Sequence, residues 1–279
     1  MTATGATLAM SDFEDPYLYP DTNLLRNLSD EHDPVAANAK ERDFSLLRRR
    51  ELDLRPVNPG SNGTGFDLRH LREIHRRLYQ DVWAWAGKIR TVEISKGSST
   101  FHPNAYIETA FANLHVWLVH DTELLSNPKI DDDTFVKQAA ELLEKVNYLH
   151  PFREGNGRTQ RAYLDQVAGI SGRKLSWRNI DSRQNLRASI AAFDQGSGEP
   201  FEALLRDALR PPMDGLELLG PEAYIASASA GHMLQPSESA PGKGLSPEQL
   251  AIRRRRFPEL LEEQQRENSA TDPDYFEFD

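Results

Sequence analysis

Apolar residues recur at helical intervals along most of the chain. Phe135, Ala139, Leu142, Leu143, Val146 and Leu149 form a stripe that predicts an amphipathic helix behind the triplet Asp131-Asp132-Asp133. These three carboxylates read as caps on a solvated helix start rather than as a metal site. Leu68, Leu71, Ile74, His75 and Leu78 predict a second helix, capped by Asp67. On that apolar side His75 reads as a packed, hydrogen-bonded histidine, and Trp83 and Trp85 after it read as core anchors. A helix from Pro34 to about Leu52 buries Phe44 and Leu47. Others run from Tyr106 to about Leu125, with Phe111, Leu114, Trp117 and Leu118 inward, and from Gly157 to about Ile170, with Tyr163, Val167 and Ile170 inward. Two more cover Asn179 to Phe193 and Glu199 to Leu209, the last stopped by Pro211-Pro212. The period changes only near residue 90. Thr91 to Ile94 predicts a strand, Lys96-Gly97-Ser98-Ser99 a turn, and Thr100-Phe101 a return strand. That hairpin is either plain surface or an edge that captures a partner segment by strand addition. The expected class is an all-α helical bundle with one β-hairpin.

The ends differ from the middle. Residues 1–15 read as a flexible N-terminus, 16–210 as one folded domain, and 211–279 as a linker and a C-terminal helical and acidic tail. The linker is rich in Ala, Ser, Gly and Pro. The 279 residues carry 33 Lys and Arg against 43 Asp and Glu, a net charge of −10. Such a balance argues against direct nucleic-acid binding. Cysteine is absent, which excludes disulfides and thiolate sites. No apolar run is long enough to span a membrane, so no membrane partner is expected. Met1 to Met10 lacks a basic region and a long apolar core. The expected location is cytoplasmic, with secretion into a host cell left open.

The chemistry concentrates in His150-Pro151-Phe152-Arg153-Glu154-Gly155-Asn156-Gly157-Arg158-Thr159-Gln160-Arg161. It lies between two amphipathic patterns and reads as a loop that opens a helix. Histidine is the side chain suited to move a proton near neutral pH. The glycines leave backbone N–H groups for an anion nest, to which the helix N-terminus adds partial positive charge. Arg158 and Arg161 fall beside it on one face of the first turns. A carboxylate next to a phosphate site is a natural Mg²⁺ ligand. Together these groups suit transfer of part of a nucleoside triphosphate onto a hydroxyl.

This stretch resembles the Fic signature: histidine, any residue, phenylalanine, any residue, acid, Gly-Asn-Gly-Arg, two residues, arginine. Every fixed position matches, at His150, Phe152, Glu154, Gly155, Asn156, Gly157, Arg158 and Arg161. Tyr19 to Leu25 looks like the opening of Fic toxins and effectors, and Trp85 to Arg90 like their entry to the hairpin. The resemblance spans roughly residues 16 to 210. It implies the Fic fold and AMP transfer from ATP to a Ser, Thr or Tyr hydroxyl of a target protein. By position, His150 would be the base and Glu154 would hold Mg²⁺. Gly155, Asn156 and Gly157 would cradle phosphates, Arg158 and Arg161 would bind the outer ones, and Phe152 would anchor the loop. Ile94, Ser95, Lys96 and Gly97 would form the flap that docks the target.

Relatives carry or recruit an inhibitory helix with Ser or Thr, three residues, Glu, then Gly or Asn. Its glutamate would meet Arg161. Glu263 to Asn268 matches only the last two positions, at Glu267 and Asn268, so the expected regulator is a small antitoxin rather than the chain's own tail. For this type the resemblance suggests a type II topoisomerase subunit as target. Two other readings compete: Fic-type phosphotransfer, against which Gly157 argues because that branch has lysine there, and a Fic-fold binding module without turnover.

Overall fold

Side-chain caps and apolar stripes set the helices. Helix α1 (Pro34–Leu54) begins where the Asp33 carboxylate accepts the N–H of Ala36, with proline first in the helix, where a missing N–H costs nothing. Helix α2 (Leu68–Tyr79) starts with Asp67 accepting from the His70 N–H. A short 3-10 turn at Asn104–Tyr106 leads into α3 (Ile107–His120). Asp131 caps α4 (Asp132–Leu149), and α5 (Asn156–Ile170) follows the signature loop. Then come α6 (Ser182–Gln195) and α7 (Glu199–Ala208). The structure, a computed structural model, describes residues 15–59, 65–96, 99–127 and 129–210. The linker, the tail and Glu267 lie outside the described residues.

Helix α4 is the hub. Its stripe of Phe135, Ala139, Leu142, Leu143, Val146 and Leu149 is buried throughout, and it packs against α3, α5, α6 and α7. Helix α2 bridges α5 and α1. Burying that much apolar side chain is the main favourable term in folding. The three carboxylates at the start of α4 are a cap at Asp131 and two ion pairs from its first turn, Asp132 with Arg173 and Asp133 with Arg206. No helix among the described residues is long and apolar enough to cross a membrane.

Three expected boundaries are corrected. The helix expected to reach Leu125 ends at His120, because the Thr122 hydroxyl donates to the Leu118 carbonyl at 2.8 Å and turns the chain. Helix α6 begins at Ser182 rather than Asn179, because the Asp181 carboxylate caps it. Thr91 to Ile94 is not a strand: the hairpin is β1 (Ser95–Lys96) against β2 (Ser99–Thr100), with Ser95 opposite Thr100. The Thr91 N–H goes to the Tyr17 hydroxyl at 3.1 Å, and the Val92 carbonyl accepts from Arg90 at 2.8 Å. Those groups are therefore not available to a ladder. A second short pairing, β3 (Lys174–Leu175) with β4 (Leu209–Arg210), ties the end of α5 to the end of α7.

Candidate active site

Helix α4 delivers the chain to His150, its C-cap, which sits left-handed at φ 43° and ψ 60°. Non-glycine residues adopt that region rarely. Hydrogen bonds hold it there. The His150 N–H donates to the Val146 carbonyl at 3.2 Å, and the His150 carbonyl accepts from Arg90 Nε at 2.8 Å. The ring Nδ1 lies 3.2 Å from the Asn147 carbonyl. A carbonyl only accepts, so Nδ1 carries the proton and Nε2 the lone pair. The imidazole stacks on Phe101, centroids 3.8 Å apart.

The loop then turns over a buried aromatic floor. Phe152 is fully buried and stacks on His75 at 3.9 Å, the anchoring position expected for it. The buried Asn156 side chain clasps Phe152 from both sides: Oδ1 accepts the Phe152 N–H at 2.9 Å, and Nδ2 donates to the Phe152 carbonyl at 2.8 Å. The resemblance puts Asn156 among the phosphate-cradling residues; its side chain is taken up by Phe152, which leaves only its backbone N–H for such a role.

Gly155 caps α5 at φ 79°, and a Cβ there would lie 2.4 Å from the Tyr79 ring. Only glycine satisfies both demands. The first-turn N–H groups of Asn156 and Gly157 have no acceptor within the helix, as at any helix start. The half-buried Glu154 stands at this entrance, one carboxylate oxygen accepting the Gly155 N–H at 2.9 Å. Its carbonyl accepts from His75 Nε2 at 3.0 Å, while His75 Nδ1 accepts the Gly87 N–H at 2.8 Å. Both nitrogens are thus used in the neutral form. Burial first, with Arg158 adding to it, pushes the His75 pKa down to about 3. His75 is a structural histidine, as its place on the apolar face suggested.

The two arginines have different surroundings. Arg158 Nη1 donates to Ser45 Oγ at 2.8 Å and lies 2.7 Å from Glu41 Oε1, with its guanidinium 5.3 Å from the Tyr79 ring centre. Helix α1 therefore holds Arg158 from behind. Arg161 is half-buried and has no ion-pair or hydrogen-bond partner among the described residues.

The flap reaches the site through its base. Phe101 lies on the His150 ring, its N–H donates to the Ile94 carbonyl at 3.3 Å, and the His102 N–H donates to the Tyr148 carbonyl at 3.2 Å. Ile94 is half-buried and Ser95 exposed. Lys96 belongs to β1, and Gly97 lies outside the described residues. Sequence reasoning missed Glu41, Ser45, Tyr79 and Arg90 as parts of this site. Tyr79 had a signal, one turn beyond His75 on the apolar face of α2; Glu41 and Ser45 had none, because they meet Arg158 only when α1 packs down.

A family model described as Fic/DOC family matches residues 65–168. Protein adenylyltransferase VbhT of Bartonella schoenbuchensis is 33% identical over 192 residues, which are 69% of this chain and 38% of that protein. The chain thus spans well under half the length of that relative. Probable protein adenylyltransferase Fic of Escherichia coli K12 is 35% identical over 167 residues, 60% of this chain and 78% of that one. Among solved structures, BepC of Bartonella tribocorum, a VirB-translocated effector crystallised with AMPPNP, superposes with a TM-score of 0.63 at 21% identity, covering 72% of this chain and 99% of that chain. At that identity the likeness is one of fold.

Proposed function

The chain belongs to the Fic/DOC family, and from that premise we propose that it is a protein adenylyltransferase. It moves AMP from ATP onto a Ser, Thr or Tyr hydroxyl of a target protein. The observation that carries this reading is the contact of His150 Nδ1 with the Asn147 carbonyl, which assigns the proton to Nδ1 and makes Nε2 the basic nitrogen, one short loop from a helix N-terminus. In the reaction Nε2 takes the hydroxyl proton, the hydroxyl oxygen bonds to the α-phosphorus, and the bond to the bridging oxygen of pyrophosphate breaks. Pyrophosphate leaves with the electron pair. In-line attack of this kind depends mainly on positioning and charge stabilisation.

The backbone N–H groups of Asn156 and Gly157 and the side chains of Arg158 and Arg161 hold the phosphates; the Gly155 N–H, donated here to the Glu154 carboxylate, would join them once that carboxylate turns to the metal. The Glu41 and Ser45 contacts support a fixed Arg158, and the absence of a carboxylate beside Arg161 among the described residues supports its availability to phosphate. A metal site offering one carboxylate, Glu154, suits Mg²⁺ that takes its other ligands from substrate phosphates and water. No group of three or more His, Asp or Glu able to hold a metal occurs among the described residues. When bound, Mg²⁺ supplies charge neutralisation on the phosphates.

The flap, from Ile94 through Gly97, docks an extended segment of the target. A small antitoxin with an inhibitory helix is the regulator in this reading, its glutamate meeting Arg161. The target candidate is a type II topoisomerase subunit if the protein acts in its own cytoplasm. The other version of this reading is action in a host cell after secretion.

The test is incubation of the protein with Mg²⁺, bacterial lysate and ATP labelled on the α-phosphate, beside His150→Ala. A labelled protein band seen only with the unaltered enzyme is expected. Label transferred from the γ-phosphate alone would establish phosphotransfer instead, and nucleotide binding with no transfer to any lysate protein would leave a binding module.

A further inference from the structure

The Arg90 side chain is fully buried. Burying a cation is expensive unless it is paired and hydrogen-bonded. Its one ionic partner among the described residues, Glu93 at 3.2 Å, is itself 58% exposed. The rest of the compensation comes from main-chain carbonyls on three separate segments. Arg90 Nε donates to His150 at 2.8 Å, Nη1 donates to Val92 at 2.8 Å, and Nη2 donates to His102. Val92 enters the flap and His102 leaves it. The Arg90 N–H donates to the Pro151 carbonyl at 3.0 Å. The Glu93 carboxylate accepts the Asn104 N–H at 3.1 Å, so the pair extends the bracing past the flap.

We propose that Arg90 is a positioning residue, whose buried guanidinium clasps both arms of the flap to the carbonyl of His150 and so fixes where a flap-bound segment presents its hydroxyl to the base. The clasp stands on these contacts; its consequence for the acceptor hydroxyl rests on the adenylyltransferase reading. For stability alone, an apolar side chain of similar volume serves as well as a buried charge. What an apolar side chain cannot do is hold three backbone segments in one register. Lysine cannot either, because its ammonium is a point donor and not a planar fork with five N–H groups. The same contact on the His150 carbonyl steadies its left-handed backbone. None of these hydrogen bonds goes to the Gly155 to Gly157 turn, which separates its role from nucleotide binding.

The experiment compares the full chain with Arg90→Lys and Arg90→Met. It reads amide hydrogen exchange, affinity for a non-hydrolysable ATP analogue with Mg²⁺, and transfer to the protein target found in the lysate assay. Exchange at Phe101 and His102 should quicken by about tenfold or more in both variants, while α4 and α5 stay protected. Analogue affinity should stay within about twofold, and kcat/KM for the protein target should fall about 100-fold, the scale expected from a misplacement of about 1 Å. Full activity in Arg90→Lys, or flap exchange unchanged in both variants, would overturn the proposal. So would faster exchange across α4 and α5 with a matching loss of analogue affinity, since a merely structural residue does that. If the unaltered protein labels nothing, the transfer reading has failed, and the exchange data still decide the clasp.

Discussion

The ring of Phe101 lies against the imidazole of His150, with planes 19° apart and centroids separated by 3.8 Å. Phe101 directly follows the return strand of the hairpin. The wall of the flap is therefore also the wall of the candidate base, and movement of one is felt by the other. Replacing Phe101 with leucine keeps an apolar side chain and removes the flat face. Transfer should fall about tenfold, the size of a stacked aromatic contact, with ATP-analogue affinity unchanged. Steady-state kinetics beside a binding titration check this; a parallel loss of nucleotide affinity would mean that the ring supports the nest rather than the base.

Gly155→Ala tests the nest from the other side. The substitution meets a positive φ and a Cβ position 2.4 Å from the Tyr79 ring. The cost should be about 1–3 kcal/mol of stability, with weaker nucleotide binding. Urea unfolding of the single variant and of Gly155→Ala with Tyr79→Leu divides the two causes. Removing the ring should recover the clash but not the backbone term.

Glu154→Gln keeps an oxygen able to accept the Gly155 N–H and removes the charge. The melting temperature should stay near that of the unaltered protein. The Mg²⁺ concentration that half-saturates transfer should rise about tenfold or more, because Mg²⁺ is bound through a carboxylate and phosphates. An unchanged Mg²⁺ titration would remove Glu154 from the metal role.

Acid should destabilise the fold through two buried histidines. Burial depresses the His75 pKa from 6.5 to about 3 and, likewise through burial first, the His70 pKa to about 4. Between those values and 6.5 the unfolded chain binds protons that the folded chain does not, so stability falls as pH drops through this window. From 6.5 to pH 5 each contributes a loss of up to about 2 kcal/mol. Urea unfolding at pH 7 and pH 5 should show it, and His75→Gln should remove about half of the histidine part of the slope. Equal slopes in the two proteins would contradict the neutral His75 seen in its bonds to Gly87 and Glu154.

Much of the fold was legible because helix signals are local. The α4 stripe, the Asp67 and Asp131 caps and Pro34 at the start of α1 all act within a few residues. Trp83, Trp85 and His75 were read as core and are core. The shifted ends of α3 and α6 have local causes at Thr122 and Asp181, whereas the misread strand and the missed pairing are non-local. Thr91 to Ile94 has strand composition, yet Tyr17 and Arg90 take its hydrogen-bonding groups. The β3–β4 pairing joins segments whose proximity depends on how α5, α6 and α7 pack.

The sequence by itself determined the chemistry of the signature: histidine, carboxylate, glycine turn and arginines in one short run, with a spacing that places them around one loop and one helix start. It also determined the helices, since periodicity and caps need no distant partner. Only the tertiary structure decided which groups each residue faces. It put Glu41 and Ser45 behind Arg158, turned the Asn156 side chain inward onto Phe152, and gathered His150, Val92 and His102 around one guanidinium. The contacts of Arg158 with α1 and of Arg90 with His150 join residues far apart in the chain. They form only when helix packing closes the intervening loops, so they leave no pattern in the sequence around either partner.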